Sequence, residues 1–141
     1  FVQNRVARVL EAVSGAATIM SMLQDHYVAC VAPRVRGHIG DLALCSGGVA
    51  MLMKAVSEAA TAVLQRLVDA IIIQAEKTLM IEQKRSDFTP DASGAALGAV
   101  GQPTGACLLV CTQLAAVQRA AGAALGAANL GGFLLEVGTR T

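Results

Sequence analysis

Large side chains are scarce in this chain. Aromatic residues make up 3% of its 141 residues and tryptophan is absent. A compact globule usually fills its centre with larger groups, so the composition points instead to closely spaced helices. Apolar residues still reach 55%, enough for a core. Excess charge is lacking too, with 11 bases against 10 acids. Strong electrostatic binding of nucleic acid needs a concentrated basic face. Here the cations are spread out and read as solvated helix faces. There are only two histidines, neither beside a nucleophile, which leaves little material for acid–base catalysis. No Gly-x-Ser-x-Gly occurs, and the glycines from Gly98 to Gly101 follow no apolar strand and lack the lysine of a phosphate loop. No signal peptide is read, because Arg5, Arg8 and Glu11 punctuate the start. No C-x-x-C spacing is present. Cys30, Cys45, Cys107 and Cys111 read as reduced, buried, small hydrophobes.

What the chain does have is helical periodicity. Val2, Val6, Val9, Val13, Ala16, Met20, Leu23, Tyr27 and Cys30 step alternately by four and three, which lays one seam down a helix over about 2–31. Pro33 is expected to stop it. Residues 34–48 are ambiguous: Gly37, Gly40, Gly47 and Gly48 weaken a helix, while Asp41 and Ser46 are candidate caps. A second helix is expected over about 48–84, with its seam on Val49, Met53, Val56, Ala60, Val63, Leu67 and Ala70. Lys54 and Glu58 lie four apart on its polar face and can pair, worth about 0.3 kcal/mol. Near Ile71, Ile72 and Ile73 the apolar face widens, as for contact with more than one neighbour. A loop is read over 86–105. A third helix follows over about 104–125, capped by Thr104 and stopped by Gly126, and Asn129 can cap a fourth that starts at 130–141. The fold class is all-α, an antiparallel helical bundle forming part of an elongated rod of stacked bundles. Residues 1–141 are expected to be one bundle segment of a larger protein, since the chain opens on Phe1 and ends as a new periodic segment begins.

Two other constellations carry possible chemistry. His26, Cys30, His38 and Cys45 hold four potential zinc ligands, but the spacing fits no zinc module and Cys30 falls on the seam. Cys107 and Cys111 share a helix face and read as core fillers. The stretch from Ala92 to Gln118 has no charged residue. A membrane hairpin over 92–135 is therefore an alternative, although a spanning helix wants roughly 20 strongly apolar residues and this stretch is largely alanine and glycine.

The most specific stretch runs Glu82-Gln83-Lys84-Arg85-Ser86-Asp87-Phe88-Thr89-Pro90-Asp91. As local chemistry it ends a helix with two cations and turns the chain at Asp87, with Phe88 folding back. It also permits a partner-docking loop anchored by Phe88, or a phosphorylation switch at Ser86 or Thr89. The stretch resembles a signature of the Sec-ten family, exocyst complex component five, in which Glu-Gln-Lys-Lys-Thr-Asp-Phe-x-Pro-Glu-Asp follows a long helix. Glu82, Gln83, Lys84, Asp87, Phe88 and Pro90 match in register. Further on, Ala106-Cys107-Leu108-Leu109-Val110-Cys111 resembles the family's Ala-Cys-x-x-Val-Cys segment. Leu134-Leu135-Glu136-Val137-Gly138-Thr139-Arg140 resembles its Leu-Met-Glu-Leu-Gly-x-Arg segment. The resemblance covers about Ala70 to Arg140. The loop after Asp91 is longer and richer in alanine and glycine than in the family.

That resemblance implies a scaffold subunit of the complex that tethers secretory vesicles to the plasma membrane during exocytosis. It implies no catalysis, cofactor, metal, nucleic acid or small-molecule substrate. Its partners would be other exocyst subunits, a Sec-fifteen type first among them, with indirect vesicle and plasma-membrane association. The location implied is cytoplasmic, peripheral at vesicles and plasma membrane. The signature residues, as structural or interaction positions, are Glu82, Gln83, Lys84, Asp87, Phe88, Pro90, Cys107, Cys111, Leu134, Glu136, Gly138 and Arg140.

Overall fold

A computed structural model describes residues 2–84 and 103–140. Among them every element is helical: α1 (Val2–His26), a π turn (Tyr27–Val31), α2 (Ala32–Val35), α3 (Ile39–Glu82), α4 (Gly105–Ala124) and α5 (Ala127–Arg140). α1 packs on α3 and α4, α3 also on α4 and α5, and α4 on α5. Tight turns reverse the chain between α1 and α3 and between α4 and α5, giving an up-down-up-down array.

Pro33 does not stop the first helix. The chain runs on through α2 with Pro33 in its first turn. A proline ring clashes with the carbonyl four residues back. The π turn relieves that clash, because the Ala32 N–H reaches back to the Tyr27 carbonyl. The extra residue also shifts the inward position from Cys30, which is exposed, to Val31, which is half-buried. The chain then breaks at His38, whose extended backbone (φ −126°, ψ 92°) caps α3.

α3 begins at Ile39, well before the expected Gly48, and passes through Gly40, Gly47 and Gly48 unbroken. Their propensity cost, about 1 kcal/mol each against alanine, is outweighed by the continuous inward row of Leu42, Cys45, Val49 and Met53. Asp41 lies in the first turn, where an acid complements the dipole. Ser46 caps nothing: it is interior, and its hydroxyl donates to the Ala43 carbonyl at 3.1 Å. At 44 residues and about 1.5 Å per residue, α3 is roughly 66 Å long.

The core lies at one end of this long pair. Val6, Leu10 and Val13 of α1 meet Leu67, Val68, Ile71 and Ile72 of α3, with Val117 and Ala121 of α4 and Phe133 and Val137 of α5 closing it. Leu10, off the expected seam, is the largest fully buried side chain among the described residues, at 0% exposure. At its level α1 turns toward α4 as well as α3. On α3 the inward row leaves Val63 and Ala70 exposed and uses Leu64, Val68 and Ile71 instead. A straight helix drifts about 20° per heptad against a strict seven-residue pattern, and here the drift decides which residues are buried. Buried Ala106, Ala116 and Ala121 let α4 lie close to its neighbours.

Beyond the core, α1 from about Ala16 onward and α3 up to about Ala59 form a two-helix arm. Ala16, Met20, Leu23 and Tyr27 face α3 there and are half-buried, as are Val49, Met53 and Val56 on the opposite helix. Lys54 and Glu58 pair along its surface at 3.8 Å.

Candidate interaction surface

The end of α3 carries the first signature residues. Gln83 leaves the helix in extended conformation (φ −78°, ψ 122°), with its N–H still bonded to the Leu79 carbonyl at 2.9 Å. Glu82 is the last helical residue and Lys84 comes just after Gln83, both exposed. Asp87, Phe88 and Pro90 lie outside the described residues, as do Ser86 and Thr89.

One turn before that end, α3 is fastened to α4. Thr78 is buried, and its hydroxyl donates to the Gln74 carbonyl at 2.9 Å. A hydroxyl has one proton, so the Gln113 side-chain amide is left to donate to Thr78 Oγ1 at 3.4 Å. The start of α4 is capped as expected: Thr104 Oγ1 accepts from the Cys107 N–H at 3.2 Å.

Cys107 and Cys111 are not core fillers. Both are exposed and free, because the buried face of α4 runs through Ala106, Val110, Val117 and Ala121. Cys107 and Cys111 each sit one residue, about 100°, off that row. The expectation of buried cysteines also fails for Cys30, which is exposed, and for Cys45, which is partly exposed. Among the described residues no group of three or more His, Cys, Asp or Glu could hold a metal ion, so His26, Cys30, His38 and Cys45 are not assembled into a site.

The third signature segment lies on α5. Asn129 is inside this helix, which starts at Ala127, so it does not cap it. The earlier start follows from Gly126, whose carbonyl already accepts from the Leu130 N–H at 2.9 Å. Arg140 bridges α5 to α3 through Asp69 at 2.8 Å and also reaches Glu136 at 3.6 Å. Leu134 packs against the core, while Gly138 is exposed with open space beside it. Phe133 and Val137 anchor the helix. The sequence hid them because the signature names Leu134 and Glu136, their neighbours on other faces. An open cleft of about 270 Å³ runs beside this segment, lined by Leu64, Val68 and Phe133 with Gln65 and Glu136 at its rim.

The larger feature is exposed apolar surface on the arm. Ile19, Met22 and Val28 on the first helix and Ile39, Leu44, Met51 and Leu52 on the second are all exposed, Met51 at 76%. By length and composition, the helical stretches Asn4–Val35, Ile39–Glu82 and Gly105–Ala124 are apolar enough to cross a membrane. The hairpin expected over 92–135 is described only from 103 onward. Its second helix, with 14 residues, is about 21 Å long, short of a bilayer core of about 30 Å. Exposed apolar rows of this extent mark a surface that meets a protein partner or a membrane.

No curated protein and no solved structure matches this chain. The model of the family described as exocyst complex component Sec10-like, alpha-helical bundle, matches residues 3–141, reaching back through α1 to include the arm. The chain belongs to the Sec10-like exocyst component family, in its α-helical bundle.

Proposed function

We propose that this chain is a helical-bundle segment of exocyst complex component five, acting as a non-catalytic scaffold in the complex that tethers secretory vesicles to the plasma membrane. The observation that carries this reading is the family match over residues 3–141. It is supported by the three signature segments in order along the chain. It is supported also by long helices that leave an apolar arm uncovered. In this reading the protein is cytoplasmic and peripheral at vesicles and plasma membrane. A Sec-fifteen-type subunit is its close partner. Glu82, Gln83, Lys84, Asp87, Phe88 and Pro90 mark the family, and Arg140 fixes α5 against α3 through Asp69, with Glu136 holding its side chain from within α5. Affinity purification of the full-length protein with identification of its partners tests the proposal. Recovery of the other exocyst subunits is expected, and purification without them would sink it.

A second reading, a membrane-associated helical hairpin, is favoured by one observation, the three helical stretches apolar enough to span a bilayer. It requires the full-length protein to resist alkaline extraction from membranes. Release into the soluble fraction removes it.

A further inference from the structure

The arm ends in an exposed apex of positive charge. Residues 26–40 hold Arg34 and Arg36 and no aspartate or glutamate. Both arginines are exposed, and neither is ion-paired among the described residues. Every residue from Arg36 to Asp41 is exposed, because the chain reverses there beyond the reach of the core. Ile39 sits in that reversal at 84% exposure, with Leu44 and Val28 also exposed behind it. A large apolar side chain at the end of a turn, beside cations, has little in this fold to pack on.

The order of these groups along the arm matters as much as their presence. Side chains of a helix tilt toward its N-terminus. Ile39 is the first residue of α3, so it leans outward past the apex. Arg34 lies in the last turn of α2 and leans back along the arm, and Arg36 follows at the cap. Leu44 is about 8 Å behind Ile39, and Val28 about 12 Å behind Arg36. An apolar point therefore leads and the cations stay behind it. The acids are set off this surface: Asp41 is turned about 200° from Ile39 around α3, and Asp25 is about 16 Å down the arm from Arg36.

We infer that the apex of the arm is a direct contact for an anionic phospholipid surface. Ile39 enters the boundary between headgroups and acyl chains, and Arg34 and Arg36 bind the anionic headgroups above it. Area argues against a protein partner at this end. Two helix ends side by side present roughly 200 Å², against about 800 Å² per partner in a stable interface. A fluid bilayer needs no such area, because single apolar side chains and single charges each add to the binding. The arm carries the apex about 38 Å beyond Leu64, which packs against the core, so the contact leaves the bundle clear of the surface. No helix crosses the bilayer here, which separates this contact from the hairpin reading. It rests on the apex residues alone and does not depend on the scaffold reading.

The test uses the full-length protein with vesicles of phosphatidylcholine and phosphatidylserine, and with vesicles of phosphatidylcholine alone. Co-sedimentation with the mixed vesicles is expected, weakened by high salt, together with slowed amide hydrogen exchange over residues 26–44. The double variant Arg34→Gln with Arg36→Gln should bind about 25-fold more weakly, and Ile39→Ser at least about tenfold more weakly. Leu135→Ser, at an exposed apolar position on α5, should bind as the parent does. All these positions are exposed, so circular dichroism should stay unchanged, and if one apex variant fails to fold the other decides. Equal binding to both vesicles would overturn the inference, as would no binding, binding without slowed exchange at the apex, or apex variants that bind like the parent. Slowed exchange over 26–44 in the purified exocyst complex without vesicles would assign the apex to a protein partner and overturn it too. If exocyst subunits fail to co-purify, the scaffold reading fails while the vesicle result still stands, and the two failures are told apart.

Discussion

At the scale of the residue, burial depends on the number of neighbouring helices more than on apolarity. Leu10 touches two helices' worth of core and is 0% exposed, whereas Ile19, nine positions on along the same helix, is 65% exposed. Leu10→Ala should cost about 2–5 kcal/mol through the cavity it leaves. Ile19→Ser should stay within about 0.5 kcal/mol. Urea unfolding of the 141-residue chain distinguishes them, and equal losses would place the core elsewhere. The Arg140–Asp69 bridge is partly solvent-exposed on both sides, so Arg140→Ala should lose no more than about 1 kcal/mol. The cysteines give a direct chemical readout. Cys30, Cys107 and Cys111 should react with a maleimide in the folded protein, with Cys45 slower. Protection of Cys107 and Cys111 would mean that their face of α4 is covered.

At the scale of the element, the sequence was legible where one residue controls one bond. Thr104 caps α4 as its chemistry dictates, because nothing competes for its hydroxyl. Lys54 and Glu58 pair because the helix brings positions four apart together. Reading failed where packing overrides local preference. Pro33 is absorbed by a π turn, Gly47 and Gly48 are carried inside a long helix, and Asn129 is enclosed by a helix that starts before it. The signature residues were visible as a pattern, yet the pattern could not say that Cys107 and Cys111 point outward. That depends on which face α1 and α3 offer to α4. Gly47 supplies a test of the uninterrupted α3. It is exposed, with nothing within 4 Å of an added Cβ, so Gly47→Ala should raise stability by about 1 kcal/mol. A loss of stability would mean that the helix breaks there.

At the scale of the whole molecule, the fold is long because its helices outrun their partners. α3 alone is about 66 Å, whereas a globular chain of this length, with a radius of gyration of about 14 Å, is only about 37 Å across. Small-angle scattering of the monomer should give a longest dimension of at least about 66 Å, and a compact profile would refute the extended arm. All-α class and antiparallel order were readable from the repeat. Which side of the arm stays bare was not, because it depends on how far α4 and α5 reach along α3. The central claim is that this Sec10-like bundle belongs to an assembled exocyst subunit. The direct measurement is quantitative mass spectrometry of complexes purified through the full-length protein. Near-stoichiometric recovery of the other exocyst subunits is the predicted result. Recovery of the protein without them would contradict the account.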